Sequence, residues 1–343
     1  MNKLLIAFFL FLLPFGWIKA TASSHPESFP WKAQWINTER CQSATNTWLI
    51  YRKSFGVTDV PDQLIARIAA DSKYWLWIND QLVIFEGGLK RGPSPSGTYY
   101  DPVDIAPYLT KGSNTIAILL WHFGKDGFSH INSGKAALLF EAIAPGLEIV
   151  SDASWQCALY EAYQNTEAPF PNYRMPESNI RFDARQALPG AVCVGKAGKA
   201  PFGELVERPI PQWKNSGLLS YVSVRESLRG DTLFCRLPYN AQITPYLKVE
   251  AEAGKTIHIR MDNYEGGSER NVRAEYITHE GEQEYESYGW MNGHEVYYII
   301  PEGVKVLDVK YRETGYNTDL AGSFHCDDPF YDELWQRSAR TLY

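Results

Sequence analysis

Glu282, Glu284 and Glu286 alternate along one short segment, so in an extended strand their carboxylates project from one face. Such a row would line a polar groove and accept from hydroxyl groups. The plainer alternative is a solvated face with basic neighbours such as Arg270 and Arg273. Lys90 and Arg91 lie in a Gly- and Pro-rich loop, Gly87 to Gly97, with Tyr99 and Tyr100 directly after it. Two cations and two rings at a loop rim suit contact with a sugar or a neighbouring domain, since loops on a rigid scaffold carry most binding. A second loop, Gly124 to Gly134, carries Lys125, Asp126, Phe128, Ser129 and His130 and is expected beside the first. As a lone histidine, His130 is more often a structural hydrogen-bonder than a proton carrier. Trp75 and Trp77 are two apart and share a face; turned outward they make a sugar-stacking platform, turned inward they are core.

Other chemistries find less support. Asp71 and Asp101 are oxygen donors of the kind Ca²⁺ takes, but no loop has the acidic density for roughly 6–8 oxygens, so no metal is expected. Gly87-Gly88 and Gly266-Gly267 read as turns, since neither opens a helix that would hold a phosphate. The five cysteines, Cys41, Cys157, Cys193, Cys235 and Cys326, form no CxxC and no zinc spacing. Mostly buried, structural cysteines are expected.

A frame must position these groups, and composition says what kind. Aromatic residues reach 14% of the 343, with 11 Trp and 21 Tyr, which suits all-β cores. The length suggests two or three domains. A net charge of −7 argues against nucleic acid, which needs a basic patch. Residues 1–22 read as a signal peptide, with Lys3, an apolar stretch from Leu4 to Trp17 and a small-residue site at Ala20-Thr21-Ala22. No other apolar run is long enough to cross a membrane, so a periplasmic or secreted protein is expected.

Residues 31–155 read as a first antiparallel β-sandwich of jelly-roll type. Its strands are Trp48 to Phe55, Leu64 to Ala70, Tyr74 to Ile78, Gln81 to Phe85, Thr115 to Phe123 and Ala136 to Ala142, with a hairpin turn at Asn79-Asp80. Residues 156–211, punctuated by seven prolines, read as a connection with little structure of its own, wrapped against its neighbours. Residues 212–325 read as a second sandwich, with strands from Tyr246 to Ala251 through Val304 to Arg312. In 326–343, Asp328-Pro329 is a helix start, and Phe330, Leu334, Ser338 and Leu342 repeat every four residues. A lone amphipathic helix after two sandwiches reads as the entry to a helical domain.

Long stretches of this chain resemble the bacterial α-L-rhamnosidases of glycoside hydrolase family 78. They include Ala70 to Asn79, Glu86 to Pro93, Tyr99 to Asp101, Leu120 to His130, Gly281 to Glu295, Tyr311 to Tyr316 and Asp327 to Tyr343. The resemblance implies multidomain inverting hydrolases in which β-sandwich modules precede an (α/α)6 barrel. Inversion needs a carboxylic acid and a carboxylate base roughly 6.5–9.5 Å apart across the sugar ring. The family places that pair in the barrel, and this chain has room for one helix of it, so no catalytic residue and no cofactor is expected here. The expectation is therefore the non-catalytic part of an exported rhamnosidase. Its partners would be a rhamnose-containing glycan and the missing barrel, with Glu282, Glu284 and Glu286 lining a groove against it. A free-standing carbohydrate-binding protein and an inactive truncated product remain as alternatives.

Overall fold

In the first half the chain forms β1 (Ile36–Asn37), β2 (Thr47–Val57), β3 (Ile65–Asp71), β4 (Lys73–Ile78), β5 (Gln81–Gly88), β6 (Thr98–Asp104), β7 (Gly112–His122), β8 (Ala137–Ala144) and β9 (Leu147–Val150). The middle stretch contributes β10 (Gln156–Leu159), β11 (Tyr163–Asn165), β12 (Asn179–Asp183), β13 (Gly195–Lys196) and β14 (Leu205–Glu207). The second half adds β15 (Lys214–Leu219), β16 (Ser223–Glu226), β17 (Thr232–Ala251), β18 (Thr256–Met261), β19 (Arg273–Ile277), β20 (Gly281–Glu286), β21 (Met291–Ile299) and β22 (Val304–Gly315), then α1 (Pro329–Thr341). The computed structural model describes residues 30–38, 45–88, 97–126, 130–166, 179–190, 195–196, 202–264 and 273–342. The expected signal peptide lies outside them.

The first sandwich packs a seven-stranded sheet, β13-β1-β8-β3-β6-β14 with β9 on β8, against a five-stranded sheet, β10-β2-β7-β4-β5. Period-2 alternation decides which side chains meet between them. From one sheet come Leu49, Tyr51, Tyr74, Leu76, Ile116, Ile118 and Leu120; from the other, Ala66, Ile68, Leu138, Phe140 and Ala142. The β4–β5 turn falls at Asn79 and Asp80, with φ of 49° and 64°. Two positive φ values in sequence match the turn geometry that continues the strand twist.

The second sandwich is a ten-stranded sheet folded on itself around β17. The first part of β17 pairs with β16 and β21, and the second part with β20 and β22. Between these layers lie Ile243, Leu247, Val249, Ile257, Ile259, Tyr276, Val296 and Tyr298. The sequence pattern predicts a strand only at Tyr246 to Ala251, whereas β17 begins at Thr232 and runs through Pro238. The register shift between Arg236 and Ala241 accommodates that proline.

The middle stretch borrows its partners. β10 extends the five-stranded sheet beside β2, while β11 and β12 extend the second sandwich. Two of its pairings, β12 with β19 and β14 with β6, are parallel, an exception to the expected antiparallel order. α1 starts as the sequence indicated: the Asp328 side chain accepts from the Phe330 N–H at 3.0 Å, and Pro329 holds the first position. No helix among the described residues is long and apolar enough to cross a membrane. Cys157 and Cys235 are buried, and burial pushes the Cys235 thiol up to about 12.

Candidate functional site

Trp75 and Trp77 point away from the first core, on the outer face of the five-stranded sheet. The second sandwich covers that face. Trp48, Trp75, Phe85, Leu119 and Trp121 meet Tyr163, Ile180, Phe182 and Tyr288. Trp48 stacks on Tyr163 at 4.0 Å and on Trp121 at 4.4 Å between ring centroids. The indole N–H groups of Trp48 and Trp121 both donate to Asn46 Oδ1, at 3.1 and 2.7 Å. Trp75 is 0% exposed, so the platform expected of it is corrected: its rings join the two sandwiches and leave no face for a sugar. Trp77 is half-buried beside Tyr288.

The loop residues do not converge either. Lys90 and Arg91 lie outside the described residues, as do Phe128, Ser129 and Arg270. Lys125 is exposed. His130 is 1% exposed and lies 3.1 Å from Ser72 Oγ and 3.4 Å from Asp71 Oδ1, which removes it from any ligand surface. His122 Nδ1 approaches the same carboxylate at 3.2 Å, and the Ser133 N–H donates to Asp71 Oδ2 at 2.8 Å. Burial pushes the Asp71 carboxyl up, but the hydrogen bonds and charges of the two histidines win and hold it far below the usual range. Asp101 accepts from the Tyr74 hydroxyl at 2.8 Å, from the Gly88 N–H at 2.9 Å and from Arg208. The oxygens of both aspartates thus face protein donors. Tyr99 and Tyr100 are half-buried on β6, in the other sheet from Trp75. Arg208 packs over the Tyr99 ring, and the Tyr100 hydroxyl reaches Glu207 Oε2 at 3.2 Å.

The three glutamates do share a face of β20, but each meets a cation from the neighbouring strands. Lys248 Nζ on β17 sits 2.7 Å from Glu282 and 3.5 Å from Glu284, both exposed carboxylates. Glu286 accepts from Arg312 Nε and Nη2, at 2.8 and 3.0 Å, and from the Thr244 hydroxyl at 2.9 Å. Arg312 in turn lies 4.8 Å over the Phe85 ring. Arg273, expected as their neighbour, pairs instead with Glu275 at 2.7 Å on its own strand.

One concavity is signalled by no motif in the sequence. A cleft of about 830 Å³ opens between α1 and the β17–β21 pair, walled by Tyr239, Asn240, Gln242 and Trp290 below and by Gln336 and Arg340 above. Gln242 and Asn292 are cross-strand partners, which places their side chains together. The Arg340 guanidinium lies 4.3 Å over the Tyr239 ring, whose hydroxyl is 3.0 Å from both Glu313 oxygens. Burial, then the bond and charge of Glu313, push that phenol up to about 12, so it stays a neutral donor. Half of this wall comes from the Pro238 bulge and half from a helix about a hundred residues later, a juxtaposition no local pattern signals.

The comparisons agree with the fold. The chain superposes on a family 78 rhamnosidase of Bacillus sp. GL1 with a TM-score of 0.77 at 16% identity, covering 91% of this chain and 58% of that one. An α-L-rhamnosidase from Dictyoglumus thermophilum gives 0.66 at 20% identity, covering 89% and 38%. A Streptomyces avermitilis α-L-rhamnosidase, complexed with L-rhamnose, gives 0.64 at 16% identity, covering 85% and 31%. The chain spans less than two thirds of each of these proteins. The resemblance read from the sequence therefore holds at the level of fold. No protein-family model matches the chain, and comparison with curated protein sequences finds no match.

Proposed function

We propose that this chain is the exported, non-catalytic β-sandwich portion of an α-L-rhamnosidase, in which a barrel hydrolyses terminal α-L-rhamnose with inversion and without a cofactor. The observation that carries the reading is the coverage: 91% of this chain superposes on 58% of the Bacillus enzyme. The exposed face of α1 supports it. Phe330 and Leu334 are 63% and 48% exposed, apolar area that a second helical layer would cover. Export rests on the pattern of residues 1–22. Tyr99, Tyr100, Lys125 and Trp77 keep accessible surface and are the sugar contacts proposed for the first sandwich, with Glu282 and Glu284 facing the barrel.

The test reads the gene past codon 343 and assays both products on an aryl α-L-rhamnoside. The expected result is an open frame with helical periodicity, whose longer product turns the substrate over while residues 23–343 alone do not. Turnover by residues 23–343, or a stop codon directly after Tyr343, overturns the reading.

A further inference from the structure

The cleft under α1 presents polar groups that the fold does not use. The side-chain amides of Asn240, Gln242 and Gln336 meet no protein hydrogen-bond partner among the described residues. Asn240 and Gln336 are exposed and Gln242 is half-buried, so all three amides can exchange solvent for a hydroxylated ligand. Arg337 is held by Glu333 at 2.6 Å, but Arg340, one turn on, has no carboxylate within ion-pair distance among the described residues. Its guanidinium lies over the Tyr239 ring, which leaves its N–H groups available to a ligand. The half-buried Trp290 adds an indole, itself braced by Lys73 Nζ 5.4 Å from its ring centroid. The volume, about 830 Å³, falls within the roughly 300–1,000 Å³ of small-ligand sites.

We propose that this cleft binds an acidic saccharide, one carrying a uronate carboxylate. Each wall group has a counterpart in such a ligand. Arg340 forks onto the carboxylate, as a guanidinium does where planar two-point recognition is wanted. The amides both donate to and accept from vicinal hydroxyls, which alternate in the same way. Trp290 covers an apolar C–H face of a sugar ring. A neutral saccharide would leave the guanidinium unused. A free small anion would leave the amides and the indole unused. The cleft supplies this positive group on a chain of net charge −7, so the attraction is local and not a property of the whole surface.

The inference rests on the cleft residues and not on the rhamnosidase reading, so the two fail separately. Residues 23–343 are titrated calorimetrically with tri-galacturonate, with a neutral trisaccharide of the same length, with L-rhamnose and with an acidic tripeptide. Binding of tri-galacturonate that weakens with added salt is expected, with the three comparison ligands at least about tenfold weaker. Arg340→Gln, at an exposed position, is expected to lower that affinity about tenfold, and Gln242→Ala to lower it several-fold, with circular dichroism unchanged. Absence of tri-galacturonate binding overturns the proposal. So does equal binding of the tripeptide, which would make the cleft a peptide site, and so does an affinity that Arg340→Gln leaves intact.

Discussion

Trp75 and Tyr288 meet with ring centroids 4.7 Å apart, and this contact lies where the outer face of the first sandwich becomes the inner face of the junction with the second. Trp75 is fully buried there, so the five-stranded sheet is covered on both sides. The consequence is mechanical: this shared aromatic layer joins the two sandwiches.

Removing the Trp75 ring should therefore uncouple them. Trp75→Ala is expected to cost about 3–5 kcal/mol, as for other buried aromatics. Scanning calorimetry should show one transition for the parent chain and two for the variant. A single transition shifted down as a whole would mean that the ring stabilises only its own sandwich.

The glutamates of β20 should separate by partner. Glu286→Gln leaves Arg312 without its carboxylate in a nearly buried position and is expected to cost about 3 kcal/mol. Glu282→Gln, at an exposed carboxylate, should leave the urea midpoint where it was. Equal losses at both positions would contradict the arrangement around Arg312.

Asp71 should shape the acid limb of stability. Its folded pKa lies below the unfolded value of roughly 3.9, so its contribution is complete above that pH and declines as the pH falls further. Asp71→Asn should lower the urea midpoint at neutral pH, and the gap from the parent should narrow below about pH 4. A gap that stays constant from neutral to acid pH would show that the carboxylate charge is not what matters.

The Asn79-Asp80 turn offers a stabilising change. Asp80 is exposed and carries φ of 64°, a left-handed conformation that favours glycine. Asp80→Gly should raise stability by about 0.5 kcal/mol and leave ligand binding unchanged, as read by urea unfolding. A loss of stability would place the Asp80 side chain in an interaction that outweighs the backbone.

Local rules carried much of this protein. Alternation along Trp48 to Phe55 and Tyr74 to Ile78, the turn at Asn79-Asp80 and the cap at Asp328 are each decided within a few residues, so the β class, most strands of the first sandwich and the terminal helix are legible locally. What it could not decide is what covers a face. Trp75 and Trp77 alternate identically whether the outer side of their sheet meets water or a second sandwich, and only packing against Tyr288 resolved it. The same holds for β17, where Pro238 breaks the strand pattern and the bulge that tolerates it exists only against β21. The cleft is the furthest from local reading. It joins that bulge to Arg340 on α1, and side chains a hundred residues apart become one site only once tertiary structure brings their elements together.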